Sequence, residues 1–149
     1  GTSEDRIFLC KAFLRAKKVI GAEETVYFYR QREGSIVHSG LSETRLRDLC
    51  RAEEVLFSWS KGVELPNETK EQINKSCSKF IFKYCYKLPK REDRKNLSKW
   101  YAISRPILAG LKERCVFQPK YLPLRNRIRL WFFTHGCDSV SSCCSPSGA

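Results

Sequence analysis

Two histidines, His38 and His135, and eight cysteines, at 10, 50, 77, 85, 115, 137, 143 and 144, are the residues of this chain best suited to nucleophilic or metal chemistry. A Cys–His nucleophilic pair requires a free, activated thiolate. An even cysteine count points instead to disulfides formed in an oxidising compartment, with the pairing left open. His135, Cys137, Cys143 and Cys144 are the residue types of a zinc site. The adjacent pair Cys143-Cys144 would strain a tetrahedral cage, so disulfides or a loose tail are the better expectation. Glu23-Glu24, Glu53-Glu54 and Glu92-Asp93 are acidic neighbours. Adjacent helical positions do not face each other, so they make no acid–base pair and read as solvated faces partnered by Lys or Arg. No His-Glu-x-x-His, Gly-rich phosphate loop or nucleophile elbow occurs. The expectation is a protein with no catalytic residue, no metal and no cofactor, and therefore not an enzyme.

Two clusters interleave cations with bulky apolar groups. One runs from Lys79 to Lys87 and the other from Arg125 to Phe133. Such a composition suits a membrane interface. Lys79, Lys83, Lys87, Arg125, Arg127 and Arg129 would meet lipid phosphates, while Phe80, Phe82, Tyr86, Trp131, Phe132 and Phe133 would enter the headgroup boundary. Single-stranded nucleic acid, bound by stacking and phosphate contacts, is the weaker alternative. Core packing would claim about half of these rings. The four aromatics between Phe80 and Tyr86 exceed one narrow core stripe, which predicts an exposed patch.

The elements that would position these clusters are mostly helical. Leu9, Phe13, Ala16 and Ile20 fall on one helical stripe, with Lys11, Arg15 and Lys18 largely off it. Val26 to Tyr29 is β-branched and aromatic and locally suits a strand. Gly34 and Ser39-Gly40 are breaks. A second helix starts at the capping residue Ser42, with Glu43 favourable in its first turn. It carries Leu46, Leu49, Cys50, Leu56 and Phe57 inward and ends at Gly62 or at Pro66-Asn67. Ile73, Cys77, Phe80, Ile81 and Tyr84 make a third helical stripe, although Lys79 to Lys87 also alternates as a strand would. Pro89 to Asp93 reads as a charged turn. A further helix covers about Glu92 to Ile103, with Leu97, Trp100 and Tyr101 inward. Ser104 can cap another that has Pro106 in its first turn and Ile107, Leu108, Leu111 and Cys115 on its face. Pro119 and Pro123 frame an extended Lys120-Tyr121-Leu122, and a short helix or strand holds Arg125 to Phe133. The fold class is all-α, a single-domain bundle over 1–137 with a flexible Ser/Cys-rich tail over 138–149.

Composition sets the outer bounds. A length of 149 residues fits one domain, and 42% apolar content is enough to bury its core. No run of roughly 18 apolar residues encodes a membrane-spanning helix. Methionine is absent, including at position 1, so the expectation is a chain that begins after a cleavage, such as removal of a signal peptide, or after a cloning scar. Sequons at Asn67, Asn74 and Asn96 also favour secretion. A net charge of +12 exceeds what solubility needs and implies an acidic partner, whether nucleic acid, anionic membrane or acidic glycoprotein.

Several ordered stretches resemble the abalone sperm acrosomal proteins, the family of lysin and its eighteen-kilodalton paralogue. Lys11-Ala12-Phe13 with Ala16, Lys18-Val19-Ile20 and Gly21 resembles the family's first helix. Val37-His38 followed by Gly40-Leu41-Ser42 resembles its turn into the second helix, and Pro119-Lys120-Tyr121-Leu122-Pro123 its Pro-Lys-Tyr-Leu-Pro segment. The order holds from Arg6 to Arg127. The resemblance implies a five-helix bundle, a helical Val26 to Arg32, storage in the sperm acrosomal vesicle and non-catalytic action at the egg. The many cysteines, the missing methionine, the Trp131-Phe132-Phe133 cluster and the longer stretch from Gly62 to Lys70 favour the membrane-fusing paralogue. The leading expectation is a secreted, non-enzymatic acrosomal protein that binds and perturbs membranes to promote sperm–egg fusion. The alternative is stoichiometric binding and dissolution of the egg's vitelline envelope through its glycoproteins. A homodimer is compatible with the same apolar patch.

Overall fold

The computed structural model describes residues 4–21, 23 and 41–135. The stretch from Val26 to Arg32, the breaks at Gly34 and Ser39-Gly40, His38, and the tail with Cys137, Cys143 and Cys144 lie outside them. Five helices carry the fold, and among the described residues there is no strand. They are α1 (Glu4–Arg15), α2 (Glu43–Gly62), α3 (Asn67–Phe82), α4 (Leu97–Glu113) and α5 (Leu124–Thr134). α3 continues through a π turn, Lys83–Lys87, into a last α-helical turn, Leu88–Glu92. Short 3-10 turns precede α4 (Arg94–Asn96) and α5 (Pro119–Tyr121). The all-α bundle expected from the sequence is the observed class. None of its described helices is long and apolar enough to cross a membrane.

α2 begins where local chemistry says it should. The Ser42 hydroxyl accepts the Arg45 backbone N–H at 3.1 Å, satisfying one of the orphan donors of the first turn. Its buried face is Leu46, Leu49, Cys50, Glu53, Leu56, Phe57 and Ser60, spaced by three and four residues. An acid therefore sits in the middle of an apolar stripe. Glu53 is fully buried and ion-paired to Arg6 of α1, whose Nη2 also donates to Ser76 Oγ of α3 at 2.9 Å. The Arg6 guanidinium lies 4.1 Å from the Phe80 ring centroid. This corrects the solvated reading of Glu53. Glu54 pairs with Arg114 at 2.5 Å and Glu92 with Arg45 at 2.8 Å, as expected, whereas Asp93 is bound by Trp100 and Asn96 in place of a cation, and Glu24 lies outside the described residues.

The ion pair also sets how α1 is rotated. With Arg6 turned inward, Ile7 and Cys10 pack against the core, while Leu9 and Phe13 point to solvent and Ile20, beyond the helix, is exposed too. The stripe of Leu9, Phe13, Ala16 and Ile20 has helical spacing, yet it is not the buried face, contrary to the expectation that Leu9 and Phe13 join the core. Leu46, Leu49 and Leu111 do join it, and Ile107 packs against it half-buried.

The π turn resolves the ambiguity of Lys79 to Lys87. Pro89 has no N–H to give the Cys85 carbonyl, and its ring would collide with that carbonyl in a regular α-helix. One extra residue in the preceding turn relieves the clash, and the Leu88 N–H reaches back five residues to the Lys83 carbonyl. The helix then runs on to Glu92, so Pro89 to Glu92 is helical where a charged turn was expected. The inserted residue also turns Tyr84, Cys85 and Tyr86 inward together.

α4 runs through Ser104 and Pro106 without a break. Ser104 is buried within it and caps no new helix. Asp93 accepts the Trp100 indole N–H at 2.7 Å, and that bond, joined by the Asn96 amide, holds its carboxyl below the usual range. α4 ends in a Schellman motif. The Val116 N–H reaches the Leu111 carbonyl at 2.9 Å and the Cys115 N–H the Lys112 carbonyl at 3.0 Å. Cys115 takes the left-handed φ of 60° that glycine usually supplies, at a cost of about 1–2 kcal/mol. Burial of Val116 against Leu111 offsets it. The chain then makes a 3-10 turn where an extended stretch was expected, and the Gln118 N–H donates to Ser78 Oγ of α3 at 3.0 Å.

Burial raises the Glu53 carboxyl above its ordinary 4.5, against the opposing pull of Arg6. Between that value and its folded pKa the native state holds a proton that the unfolded state has released. Stability therefore falls as pH rises through that window. Arg6→Ala removes the opposing charge, so it is expected to cost about 3 kcal/mol at pH 7 in urea unfolding and less at pH 5. The double variant Arg6→Leu, Glu53→Leu is expected to recover most of the loss. Equal cost at both pH values would contradict this account of Glu53.

Candidate functional site

The described residues contain five cysteines, all as thiols. Cys50 and Cys85 face each other in the core with sulfurs 3.7 Å apart. Its hydrogen bond with Cys50 and complete burial push the Cys85 thiol well up. Burial, with the charge of Glu53, pushes Cys77 to about 12. Neither is a thiolate near neutral pH, so neither is an activated nucleophile. Among the described residues no three His, Cys, Asp or Glu side chains are grouped to hold a metal ion. Of the sequon asparagines, Asn67 is exposed at the start of α3, Asn74 is half-buried within it, and Asn96 has its amide bound to Asp93.

The fold divides the two basic-aromatic clusters between core and surface. Phe82, Tyr86 and Phe133 are core residues, exposed by 2%, 7% and 3%. Tyr86 stacks on Phe82 and on Tyr101, with centroids 5.1 and 5.9 Å apart, and Phe133 meets the Tyr101 edge at 4.8 Å. These three rings bind α3, α4 and α5 together, which corrects their assignment to an exposed membrane-facing set. The π turn makes this possible, because it supplies the second inward row that a uniform helix lacks. Phe80 and Phe132 are half-buried. Trp131 alone of the six is widely exposed, at 55%.

The cations divide as helical geometry requires. Lys79, Lys83 and Lys87 are exposed and line one groove between α3 and the start of α5. Arg91 joins them on its rim with the exposed Pro123, and the buried Phe82, Leu88 and Leu122 form its floor. The groove encloses about 460 Å³ and has no acidic lining residue. Arg91 shares Glu92 with Arg45, so two guanidiniums meet one carboxylate there. On α5, Arg127 turns away from Arg125 and Arg129, since residues two apart lie on different faces.

Arg127 lines a second groove, between α4 and α5, of about 830 Å³. Its walls include Leu124, Ile128 and Trp131, an i, i+4, i+7 stripe exposed by 69%, 50% and 55%. Arg105, Lys112 and Arg127 flank that stripe, and no lining residue is acidic. The Arg105 Nε donates to the Phe133 carbonyl at 2.7 Å, which ties α4 to the end of α5. Trp131 packs edge-on to Phe132 at 5.1 Å and stacks with His135 at 4.6 Å. A third depression, between α2 and α4, contains the Glu54–Arg114 pair, so its charges are partly neutralised from within. The first two grooves flank the opening turns of α5 and present positive charge over apolar walls.

Sequence reasoning missed Arg91, Leu122, Arg105, Lys112, Leu124 and Ile128 as surface-forming residues. The Leu124, Ile128, Trp131 spacing was a readable signal within the α5 segment. The others are brought in from separate elements.

Phe133→Ala is expected to cost about 3–5 kcal/mol by opening a cavity among Tyr86 and Tyr101. Trp131→Ala is expected to stay within about 0.5 kcal/mol. Urea unfolding of the two variants checks this division; similar losses would refute it. No protein-family model, curated protein or solved structure matches the chain, so the reading of these grooves rests on their own chemistry.

Proposed function

We propose that this protein is a non-enzymatic membrane-binding protein that docks on anionic bilayers and perturbs them, as a secreted acrosomal protein acting in sperm–egg fusion. The carrying observation is the exposed Leu124, Ile128, Trp131 stripe bordered by Arg105, Lys112 and Arg127 with no acidic neighbour in its groove. An amphipathic helix of this kind lies in the headgroup plane, with its apolar side among the acyl chains. Lys79, Lys83 and Lys87 extend the positive field beside it. Each cation near an anionic surface contributes about 1 kcal/mol, and salt screens that attraction. Attraction alone only docks the protein, so Trp131 and Ile128 must supply the disruption. The acrosomal setting follows the resemblance to the lysin family, and the charge of +12 agrees with an acidic target.

Lipid mixing and contents leakage with anionic vesicles test the reading. Activity is expected at low protein-to-lipid ratio and is expected to weaken as salt rises. Ile128→Ser with Trp131→Ala should lower mixing at least about tenfold, since each loses most of a buried side chain's transfer energy, with the helical spectrum unchanged. Undiminished mixing by that variant would remove the role of α5. No mixing at any dose or salt, with dissolution of isolated egg envelopes, would move the function to the glycoprotein coat.

A further inference from the structure

The α3–α5 groove and the α4–α5 groove both pair buried apolar lining with cations, and the α3–α5 groove is the smaller, about 460 against 830 Å³. The α3–α5 groove has a floor of largely buried apolar residues, Phe82, Leu88 and Leu122, and a rim of cations. Lys83 and Lys87 have no carboxylate partner within ion-pair distance among the described residues; their near contacts are the ring faces of Phe80 and Phe82, at 5.4 and 6.0 Å. Asn126 adds one neutral polar side chain at the edge. A free anion would use the rim and leave the floor wet. A neutral apolar molecule would use the floor and leave the cations unmatched. Nucleic acid would need open ring faces, and Phe80 already has Arg6 and Lys83 against it. Complementarity of both charge and polarity needs one ligand with an anionic head and an aliphatic body. The groove's 460 Å³ lies within the range of small-molecule sites, about 300–1,000 Å³.

We propose that this groove holds a single phosphate-bearing lipid drawn from the bilayer. Its headgroup lies against Lys83, Lys87 and Arg91, and its acyl chain lies over Leu88, Leu122 and Pro123. The choice of a bilayer as the source rests on the membrane reading above. The Gln118–Ser78 bond seats the chain ahead of Leu122 against α3, so the floor is built before any ligand arrives.

Isothermal titration with dihexanoyl phosphatidic acid, below its micelle concentration, tests the site on the intact chain. Saturable one-to-one binding is expected, with inorganic phosphate and dihexanoyl phosphatidylcholine each at least about tenfold weaker. Lys83→Glu with Lys87→Glu should weaken binding at least about tenfold, since each cation removed is worth roughly fivefold. Asn126→Trp, which fills the groove from its half-buried edge, should abolish it. Circular dichroism checks that both variants remain folded. Equal affinity for inorganic phosphate would overturn the lipid assignment, and unchanged binding by both variants would overturn the location. Ile128→Ser with Trp131→Ala should bind the short-chain lipid as the wild type does while failing to mix vesicles. Vesicle mixing without short-chain lipid binding would overturn this inference alone. Binding without mixing would overturn the proposed function and with it the bilayer as the source of the lipid, leaving the lipid site in the groove standing.

Discussion

Pro89 governs more of this structure than its single missing hydrogen bond suggests. A proline deep in a helix must break it, kink it or be accommodated by a wider turn. Here the turn before it widens, and the Leu88 N–H bonds the Lys83 carbonyl. The inserted residue gives α3 a second inward row. Tyr84, Cys85 and Tyr86 are all buried, while Lys83 and Lys87 both remain outside. Tyr86 then reaches Tyr101 on α4 and Phe133 on α5. Without that register shift the rings of α3 would not gather both later helices, and the walls of both grooves would lack their shared frame.

A second constraint acts at the other end of the bundle. Arg6 and Glu53 join α1 to α2, and the Ser76 hydroxyl extends the contact to α3. A buried pair of this kind adds modestly to stability, because desolvation consumes most of the Coulomb gain, yet it is intolerant of losing either partner. Its structural consequence is directional. It fixes which side of α1 meets the bundle, leaving Phe8, Leu9 and Phe13 outward. The surface properties of the protein thus depend on polar specificity in the interior as much as on apolar burial.

The core takes half of the rings that composition alone would place at a membrane. Aromatic payload goes to joining helices, and what remains outside is narrower and better ordered than a diffuse basic-aromatic patch. One product is an exposed apolar stripe with cations on its flanks. The other is a groove that pairs a cationic rim with an apolar floor. Both have positive lining without acidic residues, which concentrates the chain's net charge where apolar surface is also available.

Local sequence determined the features whose causes are local. Ser42 and the three-and-four spacing from Leu46 to Phe57 specify α2, because capping and amphipathicity act within a few residues. The excess of Lys and Arg over acids sets a strongly positive net charge at any fold. Tertiary structure decided the rest. Leu9 and Phe13 have a helical stripe's spacing, but the face α1 buries was chosen by Arg6 finding Glu53, a partner 47 residues away. Glu53 sat on an apolar stripe in plain view, and only its distant cation explains it. Phe82, Tyr86 and Phe133 are indistinguishable by type from Phe80, Phe132 and Trp131. Burial separates them because Pro89 reshapes α3 and because α4 and α5 close over that side. The helices were written in short-range pattern, whereas the assignment of each ring to core or surface came from contacts between elements far apart in the chain.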